Sequence, residues 1–457
     1  MTEPPTIILP VEIQVRELDA KLLLTCLAAE HDFRVVVGCS AAVNQRLHEM
    51  PRSLYIGKGL SEADARMFRD ARRLGHAVAA WDEEALVYMS PAFYLRRKTS
   101  AAALATVQAL FAWGEDNAQI WRAAPGYAGQ PLFATGNPRA DLMRPDLRAY
   151  YELEVADLRR RFGDFILVNS NFGQLNHYRP ELTLHAADAP VKPVDVPAER
   201  LGTWGDPNMV AYRHALFRAF RELVPQLARR MPALRIVIRP HPSEGHALWR
   251  EAAAGCSNVE VVGEGNILPW LMAANAVIHN GCTTGAEAFL LGRPAIAYEP
   301  ITHPVYDIRL PNALSHSVSN VEDLISTLTR VMSEAVSRDD TKRQLADRFI
   351  ASMEGQLASE RVLEAIKNLL AQGDLFETRG LIDWSKGQIA SRRRRLKKLI
   401  RAWKTGAPRS DYVRHRFPDL GVAEIEQRIA RLRMVTGRFG SLRIRQRTHN
   451  VFEVTRG

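Results

Sequence analysis

Two kinds of hydrophobic pattern alternate along most of the chain, up to the start of a strongly basic tail. Thr6–Val11 is a short apolar run typical of a buried strand, and residues 16–29 then place apolar side chains at the helical spacing of Leu18, Leu22 and Leu23. Further short apolar runs occupy residues 33–37, 53–56, 76–80, 107–113 and 131–134. Because helical or polar segments separate these runs, the pattern predicts βαβ units and a mostly parallel sheet.

The same alternation begins again after residue 160. Residues 138–162 are charged and helical, which is typical of a connection between domains, and the polar stretch 174–206 predicts an inserted loop. The strand-like runs of this second series are residues 165–168, 234–238, 259–262, Ala276–His279 and 294–298, and its helical patterns are 209–229, Val321–Ser333 and 341–372. The fold class is therefore α/β, with two tandem Rossmann-like domains at 1–150 and 160–375 and a basic helical extension at 381–457.

Composition narrows the class of protein. The 457 residues are 46% hydrophobic and 25% charged, which is typical of a globular chain and excludes a collagen-like or wholly disordered protein. Four scattered cysteines are too few for a disulfide framework, so we expect a reducing, cytoplasmic setting. We also expect no signal peptide and no membrane span, because no apolar run reaches roughly 18–20 residues.

The positive charge of the chain lies in its tail. Residues 381–457 hold 20 Lys and Arg against 6 Asp and Glu, whereas the whole chain carries only +10. Within the tail, residues 391–404 have the pattern of a cationic helix. Its apolar side is formed by Leu396, Leu399, Ile400 and Trp403. This pattern predicts an interfacial helix on an anionic membrane surface, with a solvated cationic face as the simpler alternative. Nucleic-acid binding is not favoured, because no recognised fold or aromatic platform accompanies the charges.

Two strand-to-helix corners in the second domain predict an anion site. The first corner is Arg239-Pro240-His241-Pro242, and the second runs from His279 through Asn280, Thr283 and Thr284 to Gly285. The backbone N–H groups and the positive dipole end of the following helix suit an anion, and the threonine hydroxyls add donors. Flanking prolines fix the loop that carries His241. If the two corners belong to consecutive βα units, His241 can donate to the same anion and Arg239 can add positive charge. Alternatively, Thr283 only caps the helix and His241 makes a local hydrogen bond.

These corners also carry a family resemblance. IRPHPSE and IHNGCTTGAEAFLLGRPAIAYEP resemble the donor half of GT-B-type bacterial surface-glycan transferases, which include sialyltransferases, Kdo transferases and teichoic-acid glycerophosphotransferases. Together with VEIQVRELDAKLLL, GNPRAD, FILVNSNFG and HRFPDL, they are similar to the bacterial surface carbohydrate biosynthesis protein group over nearly the whole chain. The resemblance implies a GT-B-like fold, and it matches His241 and Pro242 to an HP motif that holds CMP. Thr283 and Thr284 match the paired Ser/Thr motif, whereas Arg239 stands where many sialyltransferases have Lys.

Other polar residues near these corners have two possible roles each. The resemblance suggests that Glu287 holds the ribose of the nucleotide, and the alternative is a capping-box glutamate. Asn169 and Asn171 follow the first strand of the second domain, where amides suit phosphate or sugar hydroxyls but are also common turn formers.

Glycosyl transfer further requires a carboxylate, which acts as base in an inverting reaction and can act as nucleophile in a retaining one. Glu12 and Glu17 lie where the first strand meets the first helix, and Asp82 and Glu83 follow the strand at 76–80. The second pair resembles the acidic motif that supplies the base in sialyltransferases, with Ala85 in place of Gly. An acidic helix start is the alternative. Lys58, between two glycines, can bind an acceptor phosphate or simply form a turn.

The sequence therefore predicts a peripheral enzyme at the inner face of the plasma membrane. It would transfer a sugar, Kdo or another ulosonic acid, from a CMP-linked donor to a surface polysaccharide or lipopolysaccharide acceptor, without a metal or other cofactor. A glycerophosphotransferase or a UDP-sugar epimerase on the same scaffold is the first alternative. A non-catalytic protein that scaffolds glycan assembly or binds RNA is the second.

Overall fold

The computed structural model describes residues 4–184, 205–334, 339–373, 375–376, 380–405 and 413–457. The strands are β1 Thr6–Val11, β2 Arg34–Cys39, β3 Ser53–Gly57, β4 Ala77–Ala80, β5 Ala109–Phe111, β6 Leu132–Phe133, β7 Phe165–Asn169, β8 Arg235–Arg239, β9 Val259–Val261, β10 Ala276–His279, β11 Ala295–Tyr298, β12 His316–Val318, β13 Leu442–Thr448 and β14 Val451–Arg456. The predicted inserted loop at 174–206 lies largely outside the described residues.

The helices alternate with these strands as the hydrophobic pattern predicts. They are α1 Gln14–Glu30, α2 Ser40–Gln45, α3 Glu62–Arg73, α4 Pro91–Lys98, α5 Ala101–Leu104, α6 Glu115–Arg122, α7 Pro138–Asp141, α8 Glu152–Phe162, α9 Pro207–Arg230, α10 Ala247–Ala252, α11 Ile267–Ala273, α12 Thr283–Leu290, α13 Arg309–Ala313, α14 Val321–Ser333, α15 Asp340–Phe349, α16 Ala358–Ala371, α17 Leu381–Thr405 and α18 Val422–Thr436. No helix among the described residues is both long and apolar enough to cross a membrane.

The chain forms two compact units, each built around its own sheet. The first unit comprises Met1–Ala85, Tyr94–Tyr150 and Asp347–Gly457, and the second comprises Leu86–Phe93 and Tyr151–Ala346. Two sheets made mainly of parallel strands with helices between them confirm the predicted α/β class with two Rossmann-like domains.

The sheet of the first unit has the order β13-β14-β2-β1-β3-β4-β5-β6. Strands β1 to β6 are parallel, and their side chains are nearly all buried. Helix α1 is also buried along almost its whole length, although it carries Glu17, Asp19 and Lys21. These charged groups must therefore find partners inside the unit.

The prediction that residues 381–457 form a helical extension is wrong for the last part of the chain. Strands β13 and β14 form an antiparallel hairpin, and β14 adds to the edge of the sheet beside β2. Gly38 permits this approach, because a Cβ at its φ of +156° would lie 2.2 Å from the carbonyl oxygen of Asn450. The first unit also takes in the chain from Asp347 onward, so the predicted end of the second domain at 375 lies too far along the chain.

The sheet of the second unit is wholly parallel, with the order β12-β11-β10-β7-β8-β9. Its core is formed by apolar side chains of β7, β8 and β10 together with the buried face of α9, including Phe217 and Phe220. Helix α9 begins at Pro207, where the carboxylate of Asp206 accepts hydrogen bonds from the backbone N–H groups of Asn208 and Met209. The strand order reverses between β7 and β10, and ligands of open α/β sheets bind at such a reversal.

Candidate functional site

The carboxyl ends of three strands meet at the reversal point of the second sheet. Asn169 ends β7, and it lies in register with Arg239 of β8 on one side and His279 of β10 on the other. The two predicted corners are therefore not consecutive, because β7 lies between their strands, which puts β8 and β10 about 9–10 Å apart.

The corner that follows β10 is built around a neutral histidine. His279 is fully buried, and its Nδ1 accepts from the Gly281 N–H at 3.1 Å while its Nε2 lies 2.8 Å from the Ser315 hydroxyl. Burial lowers the pKa of His279 to about 3, so the ring is uncharged at neutral pH. Gly285 is required here for space, since a Cβ at this position would lie 2.5 Å from that ring.

The N-terminus of α12 is open. The N-cap residue is Cys282, which makes no side-chain cap, and Thr283 is the first helical residue. The alternative that Thr283 caps the helix is therefore wrong. The Thr284 hydroxyl lies 2.6 Å from the Cys282 sulfur, and both threonines are half-exposed. The N-cap residue thus makes no cap hydrogen bond at the place where an anion binds most readily.

The loop that follows β8 fixes the orientation of His241. Its Nδ1 accepts from the backbone N–H of Ser243 at 3.2 Å and lies 2.7 Å from the hydroxyl of the same residue. Because a backbone N–H can only donate, the neutral ring carries its proton on Nε2. The half-buried His241 side chain is therefore set up to donate from Nε2.

Glu244, which the sequence analysis missed, holds this loop to the one that follows β7. Its buried carboxylate accepts from the Ser170 hydroxyl at 2.9 Å and from the Phe172 N–H at 3.0 Å. It also accepts from the His241 N–H and the Trp249 indole, each at 3.0 Å. Burial raises the pKa of Glu244, although these hydrogen bonds act in the opposite direction. The two loops are thereby held in one fixed arrangement.

Unpaired amide groups lie beside this arrangement. Asn280 is only 6% exposed, yet neither its Oδ1 nor its Nδ2 has a hydrogen-bond partner among the described residues. The Nδ2 of Asn169 and the Oδ1 of Asn312 are buried and unpaired in the same way. A buried polar group without a partner costs about 1–3 kcal/mol, so a set of them at a strand-end crevice calls for a ligand that supplies partners.

Arg213 is the second residue that the sequence analysis missed. Its guanidinium donates to the backbone oxygen of Asn171 and lies 5.1 Å from the centroid of the Phe172 ring. It is not ion-paired with a carboxylate in the described part of the chain, and burial lowers its pKa although the charge of Glu244 acts in the opposite direction. It lines a small pocket together with Asn280 and Glu299. The available signal was its position on the apolar face of α9, between residues 210 and 217.

Arg239 and Glu287 are buried more deeply than a simple binding role predicts. The Nη2 of Arg239 donates to the Gly265 carbonyl at 2.6 Å, and burial lowers the pKa of Arg239 to about 10 against the opposing charge of Glu287. The predicted ribose contact of Glu287 stays a prediction. Pro242 is exposed at the corner, and Asn171 is half-buried with its carbonyl held by Arg213.

All four predicted catalytic carboxylates belong to the first unit, and those of Glu17, Asp82 and Glu83 are buried in it. Glu17 accepts from the backbone N–H groups of Glu12 and Ile13 at 3.0 and 3.1 Å, and Lys21 Nζ lies 2.8 Å from the same carboxylate. Lys21 Nζ also lies 3.0 Å from Glu83 Oε1, which accepts from an indole N–H as well. The structure thus brings Glu17 and Glu83 together on one buried ammonium group. Burial opposes the charge on Glu83, but Lys21 still holds its pKa below the usual range.

Asp82 and Glu12 have different surroundings. Asp82 accepts from the Tyr94 hydroxyl at 2.8 Å and from the Glu84 N–H at 2.9 Å, and burial raises its pKa. Glu12 lies nearer the surface, with 28% of its side chain exposed, and pairs with Lys58 and Arg416. No group of three or more His, Cys, Asp or Glu side chains in the described part of the chain is arranged to hold a metal ion.

Comparison with known proteins identifies the fold. No protein-family model and no curated protein sequence matches the chain. Among solved structures, Methanocaldococcus jannaschii UDP-GlcNAc 2-epimerase in complex with UDP-GlcNAc and UDP is similar with a TM-score of 0.50 and 12% identity, over 80% of this chain and 99% of that one. A variant of the wall teichoic acid polymerase TagF with CDPG is similar with a TM-score of 0.50 and 10% identity, over 81% and 89%. These likenesses show the GT-B-like fold alone.

Proposed function

We propose that the protein is a transferase that takes a group from a nucleotide-activated donor bound in the second unit. The observation that carries this proposal is the buried, unpaired amide of Asn280 beside Arg213, a cation without a carboxylate partner among the described residues, at the strand-order reversal. A donor phosphate would give Arg213 its counter-ion, and a sugar or base would pair with the amide. The preferred donor is CMP-linked Kdo or another ulosonic acid, and the acceptor is a surface polysaccharide or lipopolysaccharide.

The donor phosphate would be stabilised as it leaves by groups already in place. The open N-terminus of α12 supplies backbone N–H groups, Thr283 supplies a hydroxyl, and His241 supplies its Nε2 proton. Donors that are fixed before the reaction stabilise developing charge without reorganising, and one such donor is typically worth about 10²–10³ in rate. This reaction would place its negative charge on the phosphate of CMP.

Glu83 fits the role of base best among the four predicted carboxylates. Its Oε2 has no hydrogen-bond partner among the described residues, whereas both oxygens of Glu17 accept from the backbone. Glu83 would take the proton of the acceptor hydroxyl as general base. Asp82 already accepts from the Tyr94 hydroxyl and the Glu84 N–H, so it fits a supporting role better.

A panel of donors tests this function directly. The full chain is incubated with CMP-Kdo, CMP-sialic acid, CDP-glycerol and UDP-sugars, and release of free nucleotide is measured with and without a glycan acceptor. We expect release from a cytidine donor, and we expect His241→Ala to lower it about 10²-fold or more. His316→Ala is the control, since His316 is a half-buried histidine at the start of an outer strand. Turnover by His241→Ala equal to that of the unchanged protein would refute the assigned role.

A second candidate, glycerophosphotransferase or UDP-sugar epimerase activity, is favoured by the solved structures that share the fold. One of these is an epimerase with UDP-GlcNAc and UDP, and the other is a teichoic acid polymerase with CDPG. The same panel separates the reactions, because an epimerase converts its donor without any acceptor. Release of CMP from CDP-glycerol, with none from CMP-sugars, would select glycerophosphate transfer.

We also propose that α17 docks the enzyme on the inner face of the plasma membrane. Ile382, Ile389 and Leu396 recur every seven residues and are 71%, 51% and 56% exposed. The opposite side of the helix packs against the rest of the first unit. Gly387 lies against the end of α3, and Ser391 lies 3.0 Å from His48. Together with the run of arginines from residue 392, this stripe has the character of an interfacial helix. The side chains of Leu399 and Trp403 lie outside the described residues.

Vesicle binding tests the docking surface. The full chain should sediment with vesicles of mixed phosphatidylcholine and phosphatidylglycerol but not with vesicles of phosphatidylcholine alone. Ile389→Asp should weaken this binding several-fold, because it buries a charge in the interface. Leu153→Asp is the matched control, since Leu153 is an apolar residue that is 67% exposed on α8. Equal loss in both variants, or no binding by the unchanged protein, would contradict the proposal.

A further inference from the structure

The ammonium group of Lys21 joins three parts of the first unit. Its Nζ donates to the Pro10 carbonyl and to Glu17 Oε2, each at 2.8 Å, and lies 3.0 Å from Glu83 Oε1. An ammonium group has three N–H donors, so these three acceptors use all of them. Lys21 is only 3% exposed, and its hydrogen bonds are complete without water.

The two carboxylates on this ammonium group are anchored differently. Glu17 is fixed at both oxygens, because its Oε2 accepts from the Glu12 N–H at 3.0 Å and its Oε1 from the Ile13 N–H at 3.1 Å. Glu83 is fixed at Oε1, where the Trp81 indole also donates at 2.9 Å. The buried Oε2 of Glu83 has no hydrogen-bond partner among the described residues. Both oxygens of Glu17 are therefore occupied, whereas Glu83 keeps one oxygen for a proton.

Other charged groups also act on Glu83. Arg139 Nη1 of α7 donates to the backbone carbonyl of Glu83 at 2.9 Å, and Arg16 Nη2 of α1 donates to the same carbonyl at 3.4 Å. These two contacts hold the backbone, whereas Lys21 contacts the carboxylate itself. The remaining charged groups beside it are Lys58, which follows β3, and the sequence neighbours Asp82 and Glu84.

The pKa values of the two carboxylates are displaced in opposite directions. Burial opposes the charge on Glu83, but the charges of Lys21 and Arg139 hold its pKa below the usual range. Burial raises the pKa of Glu17, and the charge of Glu83 adds to this rise although Lys21 opposes it. Because repulsion between two carboxylates acts on both, Glu17 raises the pKa of Glu83 in return. Lys21 therefore keeps Glu83 charged, and Glu17 limits the loss of basicity that Lys21 causes.

We propose that Lys21 and Glu17 are positioning residues that set the orientation and the basicity of Glu83. This assignment rests on the proposed function, in which Glu83 is the base. Lys21 holds Oε1 of Glu83, which leaves Oε2 to receive the proton, and Glu17 holds Lys21 in place. Glu17, a catalytic candidate in the sequence, thus acts through Glu83. Two groups of opposite charge on one base have opposite effects when each is removed, whereas a purely structural role predicts only a loss of stability.

The pH dependence of donor turnover tests this assignment. The acid limb of kcat/KM reports the pKa of the essential base in the free enzyme. Removing a unit charge about 5 Å away changes a pKa by about 1–2 units at the effective dielectric constant of a protein. We therefore expect Glu17→Gln to move the limb to lower pH by about one unit or more, and Lys21→Met to move it to higher pH by a similar amount. Lys21→Arg keeps the charge but not the geometry, so it should lower kcat and leave the limb and KM nearly unchanged.

Glu115→Gln is the matched control for the charge change. Glu115 lies on α6 of the same unit, is 50% exposed and pairs with Arg122, so its replacement should leave kcat and the acid limb unmoved. Glu17→Gln leaves Lys21 and Glu83 as a one-to-one ion pair and is expected to fold, so it carries the test even if Lys21→Met does not fold. Circular dichroism of each variant confirms the fold.

A measurement that needs no turnover separates this assignment from the proposed function. The carboxyl carbon of Glu83, labelled with carbon-13 glutamate and identified by its loss in Glu83→Gln, is titrated by nuclear magnetic resonance. Glu17→Gln and Lys21→Met should move its pKa in opposite directions. If these shifts occur while no donor turns over, the proposed function falls and the control of Glu83 by its two neighbours stands. If both variants leave this pKa and the acid limb unmoved, or move them in the same direction, the assignment is overturned even when turnover is normal.

Discussion

Replacing Asn280 by leucine should make the protein more stable and at the same time unable to bind its donor. Leucine has the same branching as asparagine, with two methyl groups where asparagine has its amide atoms. In the folded chain those two atoms are buried and have no hydrogen-bond partner among the described residues. A residue kept for structure would not be expected to behave in this way, because its replacement normally destabilises the fold.

The size of the effect follows from the burial of the amide. Each unpaired buried polar group costs about 1–3 kcal/mol, and removing two of them gives an upper bound of about 6 kcal/mol. Some of this is lost to the larger volume of leucine, so we expect a gain of about 1–2 kcal/mol in the free energy of unfolding. For a unit of about 200 residues, that corresponds to a rise of about 2–8 °C in the melting temperature.

Thermal unfolding with and without nucleotide measures both halves of the prediction. Without nucleotide, Asn280→Leu should melt higher than the unchanged protein. With CMP at about 100 times its dissociation constant, the unchanged protein should gain about 2.7 kcal/mol, and the variant should gain little. Asn258→Leu is the matched control, because Asn258 Nδ2 donates to the carbonyls of Ala228, Met231 and Leu234 at 3.3, 3.1 and 3.0 Å.

The control should lose about 2 kcal/mol or more and keep its response to nucleotide, since three carbonyls lose a donor far from the strand ends. If Asn280→Leu instead falls in stability as Asn258→Leu does, the amide has a structural partner and the argument for a ligand fails. If the variant is more stable but still responds fully to CMP, the unpaired amide belongs to something other than the donor.

Two further predictions concern the buried titratable groups of the first unit. Burial lowers the pKa of His76 from 6.5 to about 4. Between these two pH values His76 is protonated in the unfolded chain but neutral in the folded chain. Stability should therefore fall by about 3 kcal/mol as the pH drops through that window, and urea unfolding at pH 7, 5.5 and 4.5 should show a flatter dependence for His76→Gln. Lys21→Met leaves two buried carboxylates without their cation. The free energy of unfolding in urea at pH 7 should therefore fall by about 3–5 kcal/mol. A fall below about 1 kcal/mol would mean that water reaches the cluster.

The sequence predicted the parts of the fold that depend on local pattern. The buried strands of both sheets are continuous apolar runs, so β1, β8 and β10 were found within one or two residues. The hairpin of β13 and β14 was missed, because its first strand is largely exposed and rich in arginine. Few apolar residues alternate with these arginines, so the pattern of a strand is weak. The docking of β14 on β2 depends on a partner near the opposite end of the chain, which local pattern does not contain.

The same distinction explains which site residues were found. His241 and Thr283 stand in contiguous motifs that directly follow strands, where a rule about strand ends applies. Arg213 and Glu244 lie in a helix and a loop, and their importance appears only when the partners of each charge can be counted. Arg416 is the extreme case, since it pairs with Glu12 from the far end of the sequence.

The buried clusters around Lys21 and Asn280 differ in how far their polar groups are paired, and this difference assigns them different parts of the proposed reaction. Inside the first unit, Glu17 and Glu83 share Lys21, so this cluster is nearly complete without any ligand and holds Glu83 in one orientation. At the strand ends of the second unit, Asn280 is unpaired and Arg213 has no carboxylate partner in the described chain. A complete network favours rigidity, whereas an incomplete one stores a cost that only a ligand relieves. The second unit is therefore where donor binding energy would be gained, and the first is where a fixed base would be held in place.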